Sequence, residues 1–222
     1  MEILSDDQAT LSKDTKLFAE ARATAVNILA NAADFAATDG FASAAAAYHA
    51  DHGLSGAFTP YVALGGYNLR ADTGSYVDTN GLNANVGFVH QDYAQGHTDT
   101  IMPFVEYGNG NYTSHLDDGA RADGDQHYVG GGILVRRDQN DGLYYEGMLR
   151  AGRLSGDFKG LIEGYQASYD SNSAYVGAML GLGKIVPAGK NVTYDYYGKV
   201  FWNHLASDTA QVHSALGTAN YH

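Results

Sequence analysis

The sequence predicts a mainly β protein, an antiparallel up-and-down sheet of barrel type preceded by an N-terminal helix. Three observations lead there. Beyond Gly56, period-two runs separated by Gly, Asn and Asp take over the chain. Within them, QHYVGGGILVRR and LYYEGMLRAGRLSGDF (Gln126 to Phe158) flank Asn140-Asp141-Gly142. Asp-Gly is a strong hairpin signal because both residues tolerate positive φ. Composition agrees: 28 Gly and 17 Tyr against 3 Pro and 1 Trp in 222 residues suit closely packed strands with aromatic borders.

In the second run Tyr145, Gly147, Leu149 and Ala151 share one face, and Glu146, Met148, Arg150 and Gly152 the other. A soluble sheet would turn the charged face to water and the apolar face to a core. A membrane barrel would turn the apolar face to lipid and the charged face to a polar lumen.

Composition excludes several classes. With 0 Cys there is no disulfide, Cys-metal site or thiol nucleophile. A net charge of −12, from 13 basic and 25 acidic residues, argues against a nucleic-acid partner. No apolar run is long enough for a membrane helix, which does not bear on barrels. MEILSDDQATLSKD lacks the basic and apolar regions of a signal peptide. Export to an outer membrane would then rely on a signal outside these residues.

The elements follow in order. From Asp6 to Thr38 the pattern is helical, with a capping box at Ser5 and Gln8, or a start at Ser12, and a stop at Asp39-Gly40. The segment is Ala-rich with polar residues all round it, among them Lys16, Glu20, Arg22, Asn27, Asn31 and Asp34. That polarity forbids contact with lipid but suits either a helix threading a pore or one packed on a soluble sheet. A second Ala-rich segment runs from Phe41 to His52.

Strands are expected at Phe58–Arg70, Asp78–His90 and Ile101–Tyr112, in the two arms of the hairpin, and at Ala174–Ile185 and Asn191–Asn203. Connections around Gln91–Thr98, Gln139–Gly142 and Val186–Lys190 are short. Those around Ala71–Val77, Ser114–Asp125 and Asp157–Ser173 are longer and polar. Short turns at one end and longer loops at the other are the pattern of an outer-membrane barrel.

The order of the helix LSKDTKLFAEARATAVNILANAADFAATDGFASAAAA, then TGSYVDTNG, FVEYGNGNY, HYVGGGILVRRDQNDGLYYEGMLRAGR, SYDSNSAYVGAMLGLG and YDYYGKVFW, resembles the translocator domain of autotransporters. These are type V secretion proteins of Gram-negative bacteria. The likeness runs from about Leu11 to Asn203 and is strongest over Asp123–Arg153 and Ser168–Trp202. It implies a twelve-stranded transmembrane β-barrel in the outer membrane, with a pore helix that joins barrel to passenger. It also implies three partners: outer-membrane lipid, a covalently linked upstream passenger, and the barrel-assembly machinery. On this division residues 1–55 are the linker and pore helices and 56–222 the N-terminal part of the barrel. Only seven or eight strands are legible, so the barrel is expected to be C-terminally incomplete and the chain a fragment.

Glu106, Arg136, Glu146, Arg150, Asp195 and Lys199 fall on the expected lumen face. The resemblance makes them a lining that holds the helix through Glu20, Arg22 and Asn27; a soluble sheet would leave them solvated. Tyr144, Tyr145, Tyr194, Tyr196 and Trp202 are candidate girdle residues at the membrane border, or packing of an ordinary β-core. Some family members free their passenger when a helix Asn attacks its own backbone. Neither Asn27 nor Asn31 stands in an Asn-Asn context, so this is not expected here.

His49 and His52, with Asp51 between, lack a third metal ligand. The glycines at Gly108–Gly110 and Gly130–Gly132 open no helix and lack the Lys of a phosphate loop. No enzyme, cofactor or metal is expected. The alternatives to a translocator are a small independent outer-membrane barrel, adhesin or porin-like, and a soluble Gly-rich β-protein of surface recognition. The translocator reading predicts that Leu149→Arg, facing lipid, impairs assembly more than Met148→Arg, facing the lumen.

Overall fold

The computed structural model describes residues 21–51, 57–72, 76–115, 121–162, 165–189, 192–206, 210–214 and 217–221. The proposed caps at Ser5, Gln8 and Ser12, the helix residue Glu20, and His52 lie outside them.

Residues 21–35 form helix α1, and Phe41–Ala50 form α2. Between them Ala36–Gly40 make a π-helical turn, in which the Phe41 N–H reaches back to Ala36 O. Gly40 therefore does not stop the helix, contrary to expectation. It stays right-handed, at φ −60 and ψ −50. Its role is close approach: a Cβ there would stand 3.3 Å from Phe35 O and 3.4 Å from the Asn85 amide nitrogen. The wide turn buries Ala36, Ala37 and Gly40 together on the side facing the sheet.

The strands are β1 (Thr59–Asp72), β2 (Tyr76–Ala94), β3 (His97–His115), β4 (Arg121–Gln139), β5 (Leu143–Ile162), β6 (Tyr165–Pro187) and β7 (Thr193–Leu205), with a short ribbon of β8 (Ala210–Ser214) and β9 (Gly217–Tyr221). The first seven pair antiparallel with their chain neighbours. β7 pairs Tyr175–Pro187 of β6, and β8 takes Ala167–Asp170 of the same strand. The result is a half-barrel of seven up-and-down strands behind an N-terminal helix. Among the described residues the outer edges of β1 and β7 carry no further strand.

The expected turns are in place, with positive φ at Gly96 (100) after β2 and at Gly142 (85) after β4. The expected long loops are, among the described residues, largely taken up by strand. Most of Asp157–Ser173 is strand, with Asp157 opposite Asp170 and Ile162 opposite Tyr165. Polar residues that extend the hairpins in this way keep their backbone groups paired. Among the described residues the asymmetry of the two ends lies in how far the strands run beyond the apolar residues.

Apolar residues follow parity on both faces. The concave face packs under the helix in two clusters. One joins Phe35, Ala36, Ala44 and Tyr48 to Tyr61, Phe104, Met148 and Met179. The other joins Ala25, Ile28, Leu29 and Ala32 to Tyr67, Tyr128, Leu154 and Tyr175.

The convex face exposes an apolar band: Leu82 to Phe88 on β2, Ile101 to Tyr107 on β3, Val129 to Val135 on β4, Tyr145 to Ala151 on β5, Val176 to Leu182 on β6, and Tyr196 to Trp202 on β7. Leu149 is 64% exposed, and Leu180 and Val200 73% each. The outward-facing residues that flank the band are polar: Asn80 and His90 on β2, Asp99 and Asn109 on β3, His127 and Arg137 on β4.

The register shows how this band lies. Tyr107 pairs with Val129 and Ala151 with Val176, band end to band end. Leu82 pairs instead with Asn109, Val129 with Arg153 and Val176 with His204, each two residues past the next strand's band end. All three steps run the same way, which over the five pairings from β2 to β7 averages roughly 1.2 residues per pairing. At ~3.3 Å rise per residue and ~4.8 Å between strands this gives a tilt of ~40°, within the range of membrane barrels. Polar flanks ten positions apart on β2, β3 and β4 are then roughly 33 Å apart along a strand and ~25 Å along the barrel axis, against ~25 Å for a lipid-facing band.

Candidate functional site: the charged lining beneath the helix

Six residues chosen by parity, Glu106, Arg136, Glu146, Arg150, Asp195 and Lys199, all contribute to one concave lining. It resolves into two ionic clusters.

In the first, Arg150 on β5 donates from Nη1 to Glu106 Oε2 on β3 at 2.8 Å, and from Nη2 to the helix carbonyl of Leu29 at 2.5 Å. Tyr175 on β6 donates to the other Glu106 oxygen at 2.6 Å. Both charged side chains have 0% exposure. A carboxylate so buried is tolerated because each oxygen has a donor, one of them charged.

In the second, Lys199 Nζ on β7 lies 2.9 Å from Glu146 Oε1 on β5, and Arg136 Nη1 on β4 lies 3.8 Å from Oε2. The directed hydrogen bond of Lys199 goes to the helix, at 2.8 Å from Ala37 O. Arg136 also pairs with Asp138 at 2.7 Å. Its guanidinium stacks on the rings of Tyr144 and Phe41, at 3.6 and 4.7 Å from their centroids. Asp195, though itself exposed, accepts from the Tyr144 hydroxyl at 3.1 Å.

Each cluster thus sends one cation to a backbone carbonyl of the helix. Three further contacts complete the seat. Asn83 donates to Asn31 at 2.7 Å, with Tyr128 donating to Asn83 at 2.8 Å behind it. Gln126 donates to Ala21 O at 3.1 Å. The Tyr48 hydroxyl donates to Gln91 O at 2.9 Å.

The helix partners named from sequence fare differently. Arg22 bonds the sheet through Nη2 to Leu205 O at 2.9 Å. Asn27 is exposed on the opposite side of the helix and takes no part in the seat. Ile28, Leu29 and Ala32 face the sheet in its place, and Asn31 supplies the side-chain contact. The expected wet lumen site at Met148 is also revised, because Met148 is packed in the core under the helix.

Sequence reasoning missed Asn83, Gln126, Tyr128 and Tyr175. All four share the parity of the lining charges, and that was the available signal. Tyr144 belongs with them, since it is 1% exposed on the concave face and is no girdle residue. Tyr145, Tyr194, Tyr196 and Trp202 are exposed on the convex face. Tyr145 and Tyr196 stand at the band end near the short turns, with Tyr194 just beyond, and Trp202 stands at the opposite end.

Among the described residues no group of three His, Cys, Asp or Glu side chains could hold a metal ion. Its contacts make the arrangement a seat for a helix: a half-barrel, apolar outside and charged inside, whose basic side chains grip helix backbone. No family model matches the chain, and neither a curated protein nor a solved structure matches it.

Proposed function

We propose that this chain supplies the pore helix and half-barrel of an outer-membrane translocator of the autotransporter type, which anchors and exports a passenger joined upstream of the helix. One observation carries the reading: a convex apolar band of membrane height and barrel tilt lies directly behind a concave face whose buried charges hold a helix. A soluble protein gains nothing from exposing Leu149, Leu180 and Val200 on one continuous surface. In lipid the same surface is at home, and the helix, polar on its outer side, is kept from the acyl chains.

The grip on carbonyls also suits a conduit. Backbone oxygens are the same in every sequence, so cations aimed at them hold a segment with little regard to its side chains. Closing the barrel would require further strands or a neighbouring edge, since unpaired backbone in lipid costs several kcal/mol per group. The reading assigns no catalytic step and no cofactor. Its partners are outer-membrane lipid, the passenger and the barrel-assembly machinery.

The test is to express the chain behind an export signal, with an N-terminal epitope, in a Gram-negative cell. Recovery in the outer-membrane fraction, with the epitope open to protease at the cell surface, is the expected result. A detergent-free soluble protein would refute the membrane reading, and an epitope confined to the periplasm would refute export.

A further inference from the structure

A groove of about 570 Å³ crosses the convex face near the short-turn end. Its floor follows one row of register partners, His90–Ile101–Val135–Gly147–Leu180. Because the band steps along the sheet, this row does not run level. His90 stands one outward position beyond the band on β2, Ile101 and Val135 are its last members on β3 and β4, and Gly147 and Leu180 lie one position inside it. The groove starts at a polar rim and descends into the apolar surface.

The rim is built from the adjoining row, Asp92, Asp99 and Arg137. Arg137 is fixed by Asp99, which accepts from Nε at 2.6 Å and Nη2 at 2.7 Å. That geometry leaves Nη1 for an outside acceptor. Asp92 forms no ion pair among the described residues. An anionic acceptor on β2 and a cationic donor on β4, set on either side of the paired Asp99 on β3 at the head of a descending apolar groove, complement one kind of molecule.

We infer that this groove binds a single phospholipid bearing a primary ammonium headgroup, phosphate on Arg137 and ammonium on Asp92, with an acyl chain laid over Gly147 toward Leu180. The inference rests on the membrane reading and adds a defined lipid site to it. Gly147 makes the room. A Cβ there would meet only Leu180 Cδ2 at 3.6 Å and Met179 O at 3.8 Å, ordinary contacts, so a larger side chain fills the groove without disturbing the sheet.

The experiment uses the full chain in vesicles of phosphatidylethanolamine mixed with phosphatidylcholine, some carrying brominated acyl chains. Quenching of Trp202, the single tryptophan, reports insertion. Lipid retained after detergent extraction and purification is then identified by mass spectrometry. The expected result is quenching, with phosphatidylethanolamine retained over phosphatidylcholine. Gly147→Leu should abolish that preference, and Arg137→Gln or Asp92→Asn should each lower it by about tenfold, the value of one charge-assisted contact. Quenching with no headgroup preference, or an unchanged preference in Gly147→Leu, overturns the lipid site and leaves the barrel. Absence of quenching overturns the membrane reading and the site with it.

Discussion

At the scale of the residue, the concave face is governed by the cost of burying charge. Glu106 and Arg150 have no access to solvent, so removing either strands the other. Glu106→Leu is expected to cost about 3–5 kcal/mol, and the double change with Arg150→Met considerably less than the sum of the two single ones. A denaturant midpoint series in detergent reads this; additive losses would mean that the pair is not coupled. Close approach of backbone is the other residue-scale device. A Cβ on Gly108 would fall 2.3 Å from the Tyr128 ring, so Gly108→Ala should force the ring off its Asn83 bond and cost about 1–3 kcal/mol. Tyr128→Phe keeps the ring and loses only the hydrogen bond, about 0.5–1.5 kcal/mol. The same assay would show the two costs in the opposite order if the ring has room to move. Abundant Gly and Tyr, read from composition as a sign of close strand packing, thus acquire a specific meaning.

At the scale of the element, the helix is held by the sheet more than by its own sequence. Its Ala-rich, polar-sided pattern was legible. The π turn was not, because Asp39-Gly40 signals a stop equally well and only the packing of Phe35 and Gly40 against β1 and β2 keeps the helix going. A π turn holds one residue more than an α turn, so deleting Asp39, which is exposed, should leave both flanks in phase. What is lost is the presentation of Ala37 O to Lys199, worth about 1.5–3 kcal/mol for a hydrogen bond to a charged group. Lys199→Met should then add little in the deletion background. Full additivity in thermal unfolding would show that the π turn and Lys199 act separately. The strands were legible within a few residues over the apolar band and underestimated beyond it. Outside the band alternation ends, while backbone pairing continues through polar sequence such as Ser168–Ser173.

At the scale of the whole molecule, the two faces solve different problems, and charges placed on the convex band and on its polar flank test which solvent that face meets. Leu149→Arg should cost about 2–4 kcal/mol if the band lies in lipid, whereas Asn109→Arg, on the polar flank, should cost about 0–1 kcal/mol. Folding yield into vesicles measures both. Equal tolerance would remove the case for a membrane band, since an Arg on a wet surface is nearly neutral. Met148→Arg is not the contrast that sequence alone suggested. Met148 sits under the helix, and a charge there is expected to be damaging through burial without a partner.

The sequence by itself determined the alternation, the short connections around Gln91–Thr98 and Gln139–Gly142, and the assignment of Glu106, Arg136, Glu146, Arg150, Asp195 and Lys199 to one face. Those properties are local: period two decides which way a side chain points, and a turn needs only its own residues. Only the tertiary structure decided which charges meet, that Asn31 and not Asn27 touches the sheet, and that Arg150 and Lys199 reach Leu29 O and Ala37 O. Those contacts join residues 121 and 162 positions apart along the chain. Their pairing depends on strand register, sheet curl and the rotation of the helix about its axis, which no short stretch of sequence encodes. The tilt of the apolar band belongs there as well, because it exists only in the register between strands.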